Sequence, residues 1–134
     1  MYNTSIMKEL TRAEEQIMHV LWDIEQGFVK DIIEKLPDPN PAYNTVSTIV
    51  RILEKKGFVA HRAYGKTHEY YPAVSKETYT AAFMKNFIKN YFDDSFQELV
   101  SFFTKDKNLT LSEMEEIVQS IRTEIQKQKQ VKNE

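Results

Sequence analysis

Short polar side chains followed by cations occupy the stretch NTVSTIVRILEK, which spans residues 44 to 55. A helix advances by about 100° per residue, so five of these side chains would fall within roughly 100° of one another. They are Asn44, Ser47, Thr48, Arg51 and Lys55. Asparagine can pair with adenine, serine and threonine can bond base edges or phosphates, and arginine and lysine neutralise phosphates. The chemistry that this spacing favours is recognition of double-stranded DNA.

The opposite side of the same helix is apolar. Its members are Ala42, Val46, Ile49, Val50 and Leu53. We expect the helix to begin near Asn40 or Ala42, with Asn40 as its cap and Pro41 at the first helical position, and to end at Gly57. The alternative interpretation of the polar side is a solvated face that happens to be rich in serine and threonine.

Two helices precede this one. In LTRAEEQIMHVLWDIEQG, Thr11 and Glu14 have the spacing of a capping box, and Gly27 supplies a stop. The predicted core stripe of that helix is Ala13, Ile17, Val20, Leu21 and Ile24. A shorter helix in FVKDIIEKLP ends at Pro37.

A hairpin follows the third helix. FVAHRAYGKTHEYYPA has β-branched and aromatic residues around a Gly65-Lys66 turn. Three helices and a hairpin in this order predict a winged helix-turn-helix, in which the third helix reads the major groove and the hairpin lies along the backbone. Residues 40–72 carry five basic and two acidic side chains, a local net charge of +3 in a chain of net charge −2. The charge adds weight to the DNA interpretation because it coincides with this shape.

The remainder of the chain is helical and carries no evident chemistry. Thr110 and Glu113 form a second predicted capping box, before an apolar stripe. A tail this short cannot bury all its aromatic residues by itself, so we expect it to pair with a second copy of the chain. The predicted dimerisation residues are Phe83, Phe87, Tyr91, Phe96, Leu99, Phe102, Phe103, Met114, Ile117, Val118 and Ile121.

The fold class predicted is therefore mainly α with a small β-hairpin. Residues 1–74 form the winged-helix DNA-binding domain, residues 75–128 the helical dimerisation region, and residues 129–134 a disordered tail, with fraying expected beyond Gln126. The 134-residue chain has no cysteine, no signal peptide and no apolar run of the roughly 18 residues that a bilayer span needs. We expect a cytoplasmic protein without membrane insertion.

Other functions would need features that the sequence lacks or leaves unexplained. An enzyme would need a nucleophile with its base or convergent carboxylates, and no such motif is present. A metal sensor would have to use His19, His61 and His68 without tight ligand spacing, so no metal or cofactor is predicted. A winged fold that binds protein would leave the polar side of the third helix unexplained. The strongest rival is a regulator whose aromatic side chains line a small-molecule pocket between tail and winged domain: Phe83, Phe87, Tyr91, Phe92, Phe96, Phe102 and Phe103.

Three stretches, LTRAEEQIMHVLW, NTVSTIVRILEKKGFV and HRAYGKTHEYYPAVS, resemble the penicillinase-repressor family of BlaI/MecI-type transcriptional repressors. The resemblance extends from Leu10 to about Ile121. It implies a dimeric winged-helix repressor that binds a palindromic operator upstream of antibiotic-resistance or stress genes. It also implies a membrane-bound sensor protease, which relieves repression by causing the repressor to be cut in its dimerisation region.

The resemblance places Thr45, Ser47 and Thr48 on the base- and phosphate-contacting part of the recognition helix, and Gly65 and Lys66 on the wing turn. The whole set of candidate DNA-binding residues is Asn44, Thr45, Ser47, Thr48, Arg51, Lys55, Arg62, Gly65, Lys66 and Thr67. Two features depart from the family. Ile52 stands where many members have arginine, and the bond aligned with the cleavage site is Phe102-Phe103, which lacks the asparagine of the best-known members.

Overall fold

The structure, a computed structural model, describes residues 9–37, 41–105 and 109–132. Its elements are α1 (Arg12–Ile24), α2 (Val29–Lys35), α3 (Tyr43–Lys55), β1 (Val59–Tyr64), β2 (Thr67–Pro72), α4 (Lys76–Tyr91), α5 (Phe96–Lys105) and α6 (Leu111–Lys132). The predicted fold class is confirmed: helices dominate, and the two strands form one antiparallel hairpin.

Helix α1 begins as its sequence predicts and ends differently. The Thr11 hydroxyl accepts a hydrogen bond from the Glu14 N–H at 3.2 Å, and the Glu14 carboxylate accepts one from the Thr11 N–H at 2.8 Å, which completes the capping box. The predicted stop at Gly27 is wrong, because the helix ends at Ile24 and Glu25 leaves it with a positive φ of 73°. Gly27 instead forms a backbone bridge to Tyr70.

Helix α3 begins at Tyr43, with Ala42 as a cap that makes no side-chain hydrogen bond. Pro41 precedes that cap, so its predicted place at the first helical position is wrong, and Asn40 lies outside the described residues. The predicted end at Gly57 is confirmed. There the Phe58 N–H donates to the Leu53 carbonyl at 2.9 Å and the Gly57 N–H to the Glu54 carbonyl at 3.0 Å, the pattern of a Schellman motif, with a φ of 86° at Gly57.

The hairpin pairs Val59 with Pro72 at its base and Tyr64 with Thr67 at its tip, joined by the predicted Gly65-Lys66 turn. Gly27 adds a third short stretch of backbone beside β2. Its N–H donates to the Tyr70 carbonyl at 2.9 Å, and the Tyr70 N–H donates to the Gly27 carbonyl at 2.8 Å. The wing is thereby attached to the loop that follows α1.

The hydrophobic core lies where α1, α2 and α3 meet the base of the hairpin. Its fully buried side chains are Met18, Leu21, Ile32, Leu53, Val46, Val50 and Val74. The predicted core stripe of α1 is confirmed for Ile17, Val20 and Leu21 and is wrong for Ala13, which is exposed. Met18 was missed and is completely buried.

An ion pair between a buried glutamate and an exposed lysine joins the start of α1 to the end of α3. Lys56 Nζ donates to both carboxylate oxygens of Glu14, at 3.0 Å and 2.8 Å, and Glu14 is 4% exposed. Burial alone would raise the pKa of Glu14, but the hydrogen bonds from Lys56 and Thr11 and the charge of Lys56 together bring that pKa below its usual range. The carboxylate therefore serves both the helix cap and a contact between two helices.

The chain divides into two compact units, Met1–Asn86 and Phe87–Glu134, and the division falls inside α4. It comes after residue 74, where the sequence placed the boundary, because Tyr79 in the first half of α4 packs into the hydrophobic core of the first unit. Helix α6 continues to Lys132, through residues for which fraying was expected; Lys and Gln are good helix formers, and no glycine or proline interrupts them. None of the described helices is long and apolar enough to cross a bilayer.

Candidate nucleic-acid interface

A cleft of about 710 Å³ lies between the start of α2, one side of α3 and the hairpin. Its lining residues are Phe28, Val29, Lys30, Tyr43, Ser47, Arg51, Lys66, Thr67, His68 and Tyr70. Three of them are cations, each on a different part of the fold, and within the described residues no carboxylate lines the cleft. Such a concave cationic surface attracts anions.

Arg51 is held in place by Ser47, one helical turn before it. Arg51 Nη2 donates to Ser47 Oγ at 3.0 Å, and Ser47 is only 7% exposed. Burial raises the pKa of the nearby Tyr70 phenol, the charge of Glu54 adds to that effect, and the charge of Arg51 opposes it. Ser47 thus belongs to the floor of the cleft, where it orients the arginine.

The outer ridge of α3 carries the remaining polar candidates. Asn44, Thr45, Thr48 and Lys55 are all exposed, and none of them lines the cleft. Thr48 Oγ1 donates to the Asn44 carbonyl at 2.8 Å, so the hydroxyl hydrogen is already used within the helix. Ile52 is 41% exposed and, by helical geometry, lies on this ridge beside Thr48.

The wing residues separate into two groups. Lys66 and Thr67 line the cleft, and the Thr67 hydroxyl fixes the turn by donating to the Tyr64 carbonyl at 2.8 Å. Arg62 pairs across the strands with Glu69, and its guanidinium carbon lies 5.0 Å from the centre of the Tyr71 ring. Arg62 is therefore engaged outside the cleft that contains Lys66.

His61 and His68 meet in the hairpin. Their rings stack with centroids 4.0 Å apart and planes inclined by 5°, and His61 Nδ1 is hydrogen-bonded to the Glu54 carboxylate. Nitrogen lone pairs of parallel stacked rings point side by side and cannot converge on one ion. Among the described residues, no group of three or more His, Cys, Asp or Glu side chains is placed to hold a metal.

The sequence did not predict six residues of the cleft: Phe28, Val29, Lys30, Tyr43, His68 and Tyr70. Tyr43 is 56% exposed and immediately precedes the polar run of α3, and this adjacency was an available signal. Lys30 in the first turn of α2 could be found only once the two helices were placed side by side. His68 lines the cleft because the register of β2 against β1 places it there.

The unit Phe87–Glu134 exposes much of its apolar surface. Of the predicted dimerisation residues in it, seven are exposed: Tyr91, Phe96, Phe102, Phe103, Ile117, Val118 and Ile121. Phe87 and Met114 are half-buried, whereas Leu99 is already buried within the chain. Phe83, in the other unit, is exposed as well.

The Phe102-Phe103 bond lies inside α5. The two rings contact each other edge to face, with centroids 5.7 Å apart. A protease needs access to the peptide backbone, and exposed loops are cut in preference to helices. Cleavage of this bond would require local unfolding of α5.

Comparison with known proteins identifies what the chain is similar to. Residues 10–123 match the penicillinase repressor family. The methicillin resistance regulatory protein MecI of Staphylococcus aureus (strain N315) is 30% identical over 112 residues, which cover 81% of this chain and 89% of that protein. The penicillinase repressor of Bacillus licheniformis is 22% identical over 112 residues, which cover 83% of this chain and 88% of that protein.

Two solved structures are also similar. The solution structure of the DNA-binding domain of the repressor BlaI has a TM-score of 0.48 and 24% identity, over 55% of this chain and 90% of that one. The monomeric form of Bacillus licheniformis BlaI in complex with the blaP half-operator has a TM-score of 0.46 and 24% identity over the same shares.

Proposed function

Because this chain belongs to the penicillinase repressor family, we propose that it is a transcriptional repressor that binds operator DNA as a homodimer. Each subunit inserts α3 into one major groove and lays its hairpin along the adjacent backbone. The observation that carries the proposal is the cleft lined by Lys30, Arg51 and Lys66, in which no carboxylate stands among the described lining residues. Three cations from α2, α3 and the wing suit the phosphates on either side of a groove.

In this proposal the exposed outer ridge of α3 contacts the base edges. Because the Thr48 hydroxyl donates within the helix, it faces DNA as an acceptor, with its methyl group beside it. An acceptor and a methyl group suit the amino groups of adenine or cytosine and the methyl group of thymine. Asn44 and Thr45 extend this surface, and the exposed Ile52 offers a further apolar contact where many relatives carry arginine.

Ser47 acts through Arg51 in this proposal. Its burial keeps it from base edges, and its oxygen accepts the Arg51 hydrogen bond. Fixing the guanidinium before DNA arrives reduces the side-chain entropy that binding costs. Ser47 is therefore a positioning residue.

Dimerisation places two copies of α3 on the two half-sites of a palindromic operator. It is supported by the exposed apolar residues of α5 and α6 and by the absence of any buried residue in α6. We extend the proposal to derepression: a sensor-linked protease that cuts the tail, at Phe102-Phe103 or elsewhere, would separate the half-site readers and lower operator affinity.

The test is fluorescence anisotropy with the DNA upstream of the protein's own coding region, across a salt series and against shuffled competitor DNA. Three cations per subunit give a dimer about six phosphate contacts, so affinity should fall about a thousandfold between about 50 and 200 mM salt. Binding that resists shuffled competitor would establish a sequence-specific repressor. Equal binding to both DNAs, or a shallow salt dependence, would contradict the proposal.

Two variants sharpen this test. Lys66→Ala should weaken binding to all sequences and reduce the salt slope by about two per dimer, whereas the matched control Arg62→Ala should change the slope less. Ser47→Ala should resemble Lys66→Ala if serine positions Arg51. A Ser47→Ala variant that relaxes base preference while keeping the salt slope would instead make serine a base reader.

A further inference from the structure

A second, smaller cleft lies between α1 and the start of α4, within the unit Met1–Asn86. Its volume is about 170 Å³, and it shares no lining residue with the DNA cleft. The lining residues are Glu15, His19, Trp22, Tyr79, Thr80 and Phe83. Three aromatic side chains and a carboxylate thus surround this space, and of its lining residues only Phe83 belongs to the predicted dimerisation set.

The aromatic rings of this cleft are fixed by contacts made elsewhere. Trp22 Nε1–H donates to the Val74 carbonyl at 2.9 Å, and the Tyr79 hydroxyl accepts a hydrogen bond from the Leu10 N–H at 2.9 Å. The Trp22 and Tyr79 centroids are 5.9 Å apart with planes inclined by 36°, and those of Tyr79 and Phe83 are 6.3 Å apart at 39°. Successive inclined rings held in this way form a wall that does not have to be ordered when a ligand binds.

The cleft also has one carboxylate in its lining, that of Glu15, whose Oε1 lies 3.6 Å from His19 Nε2. Burial raises the pKa of Tyr79, against an opposing hydrogen bond from Leu10. Three carboxylates raise that pKa further, those of Glu15, Glu9 and Glu14. Among the described residues, neither lysine nor arginine lines the cleft. Tyr79 is only 7% exposed, whereas Trp22 is half-buried and Phe83 is 37% exposed. A positive charge in the cleft would therefore meet chiefly the rings of Trp22 and Phe83, together with the Glu15 carboxylate.

We infer that this cleft binds a small organic cation with a quaternary ammonium group. Such a group has no N–H to satisfy, so it suits walls that offer ring faces and one carboxylate rather than several hydrogen-bond acceptors. The size agrees, because an apolar cavity of about 150 Å³ holds benzene and drug-sized ligands need roughly 300 Å³ or more. The inference does not depend on DNA binding.

The experiment uses the full-length protein and its single tryptophan, Trp22, which is the wall of the cleft. Choline chloride is titrated at constant ionic strength, with sodium chloride replaced as choline is added. The neutral isostere 3,3-dimethylbutan-1-ol, in which carbon replaces the quaternary nitrogen, is titrated in parallel. Tryptophan fluorescence and the one indole N–H signal in a proton–nitrogen correlation spectrum report on binding.

We expect choline to give a saturable change in both signals and the isostere to bind at least about tenfold more weakly. Glu15→Gln should weaken choline binding by a similar factor, while the exposed α2 variant Glu34→Gln should leave it unchanged. Equal binding of choline and the isostere would mean a merely apolar cleft and would overturn the inference. So would unchanged choline affinity in Glu15→Gln, or the absence of a saturable response in both signals.

Discussion

Helices α1 and α6 carry similar signals in sequence and have opposite fates in the structure. Each begins at a Thr-x-x-Glu capping box and continues with an apolar stripe. In α1 the apolar stripe is buried in the hydrophobic core, and Leu21 is 0% exposed. In α6 no residue is buried, and Ile117 and Ile121 are 45% and 53% exposed.

The difference teaches what an amphipathic pattern specifies. Period and width of the stripe indicate that one face of a helix is to be buried. They do not indicate whether the burying surface comes from the same chain or from a second copy. The unit Met1–Asn86 supplies its own partners, in α2, α3 and the hairpin. The unit Phe87–Glu134 leaves an apolar face exposed. If a second subunit covers that face, the stability of the unit should rise with protein concentration.

The largest effect on stability is expected from a substitution in the core of the unit Met1–Asn86. Leu21→Ala removes a completely buried side chain and should lower the free energy of unfolding by about 2–5 kcal/mol. Urea denaturation followed by Trp22 fluorescence measures it. The loss should be the same at low and high protein concentration. A loss that vanishes at high concentration would mean that the core of the unit Met1–Asn86 also depends on a second copy of the chain.

The next largest effect is expected on dimerisation, from a substitution in the exposed apolar stripe of α6. Ile121→Lys puts a charge into the apolar stripe of α6 and should weaken dimerisation by about a hundredfold, near 3 kcal/mol. Sedimentation equilibrium measures the association, and Trp22 fluorescence checks that the winged unit stays folded. Gln119→Lys, which adds the same charge away from the stripe, is the control. If both variants associate like the unchanged protein, the α6 stripe is not the dimer interface.

A smaller effect is expected from the capping boxes, whose two glutamates should differ in how they make stability depend on pH. Glu14 has a lowered pKa and is buried, so its stabilisation is complete above its ordinary pKa of 4.5 and is lost as the pH falls through the lower folded value. Glu14→Gln should cost about 1–3 kcal/mol at pH 7 and flatten the acid dependence of stability. Thermal unfolding between pH 7 and pH 3 measures both.

Glu113 provides the control for that prediction. Hydrogen bonds from the Thr110 N–H and hydroxyl lower the pKa of Glu113 too, but this carboxylate is fully exposed and no lysine is bonded to it among the described residues. Glu113→Gln should leave the acid dependence of the winged unit unchanged. An equal response to the two substitutions would mean that the Lys56 contact adds nothing to the cap.

The features that the sequence predicted correctly are local. Thr11 and Glu14, Thr110 and Glu113, and the Gly65-Lys66 turn each involve residues at most three positions apart, so their spacing contains the whole interaction. The apolar side of α3 was predictable at Val46, Ile49, Val50 and Leu53 for the same reason, because it depends only on helical period. Ala42, predicted with them, is exposed because it precedes the helix as its cap.

What failed depends on residues that are distant in sequence. Ser47 has the side chain of a base reader, yet the hairpin tip and α2 close over its side of α3 and leave it on the floor of a cleft. Glu14 was found as a cap, but its bond to Lys56 spans 42 positions. Gly27 was interpreted as a helix stop, whereas its backbone pairs with that of Tyr70 in the hairpin. None of these facts is contained in a window of a few residues.

The reciprocal backbone pair between Gly27 and Tyr70 has a consequence for how the molecule opens. It closes a loop of about forty residues that contains α2, α3 and β1 entire, and the entropy of closing such a loop is regained only when the pair breaks. Helix α3 therefore cannot unfold from a free end of the chain. Its amide hydrogens should exchange with solvent in the same slow event as those of the core.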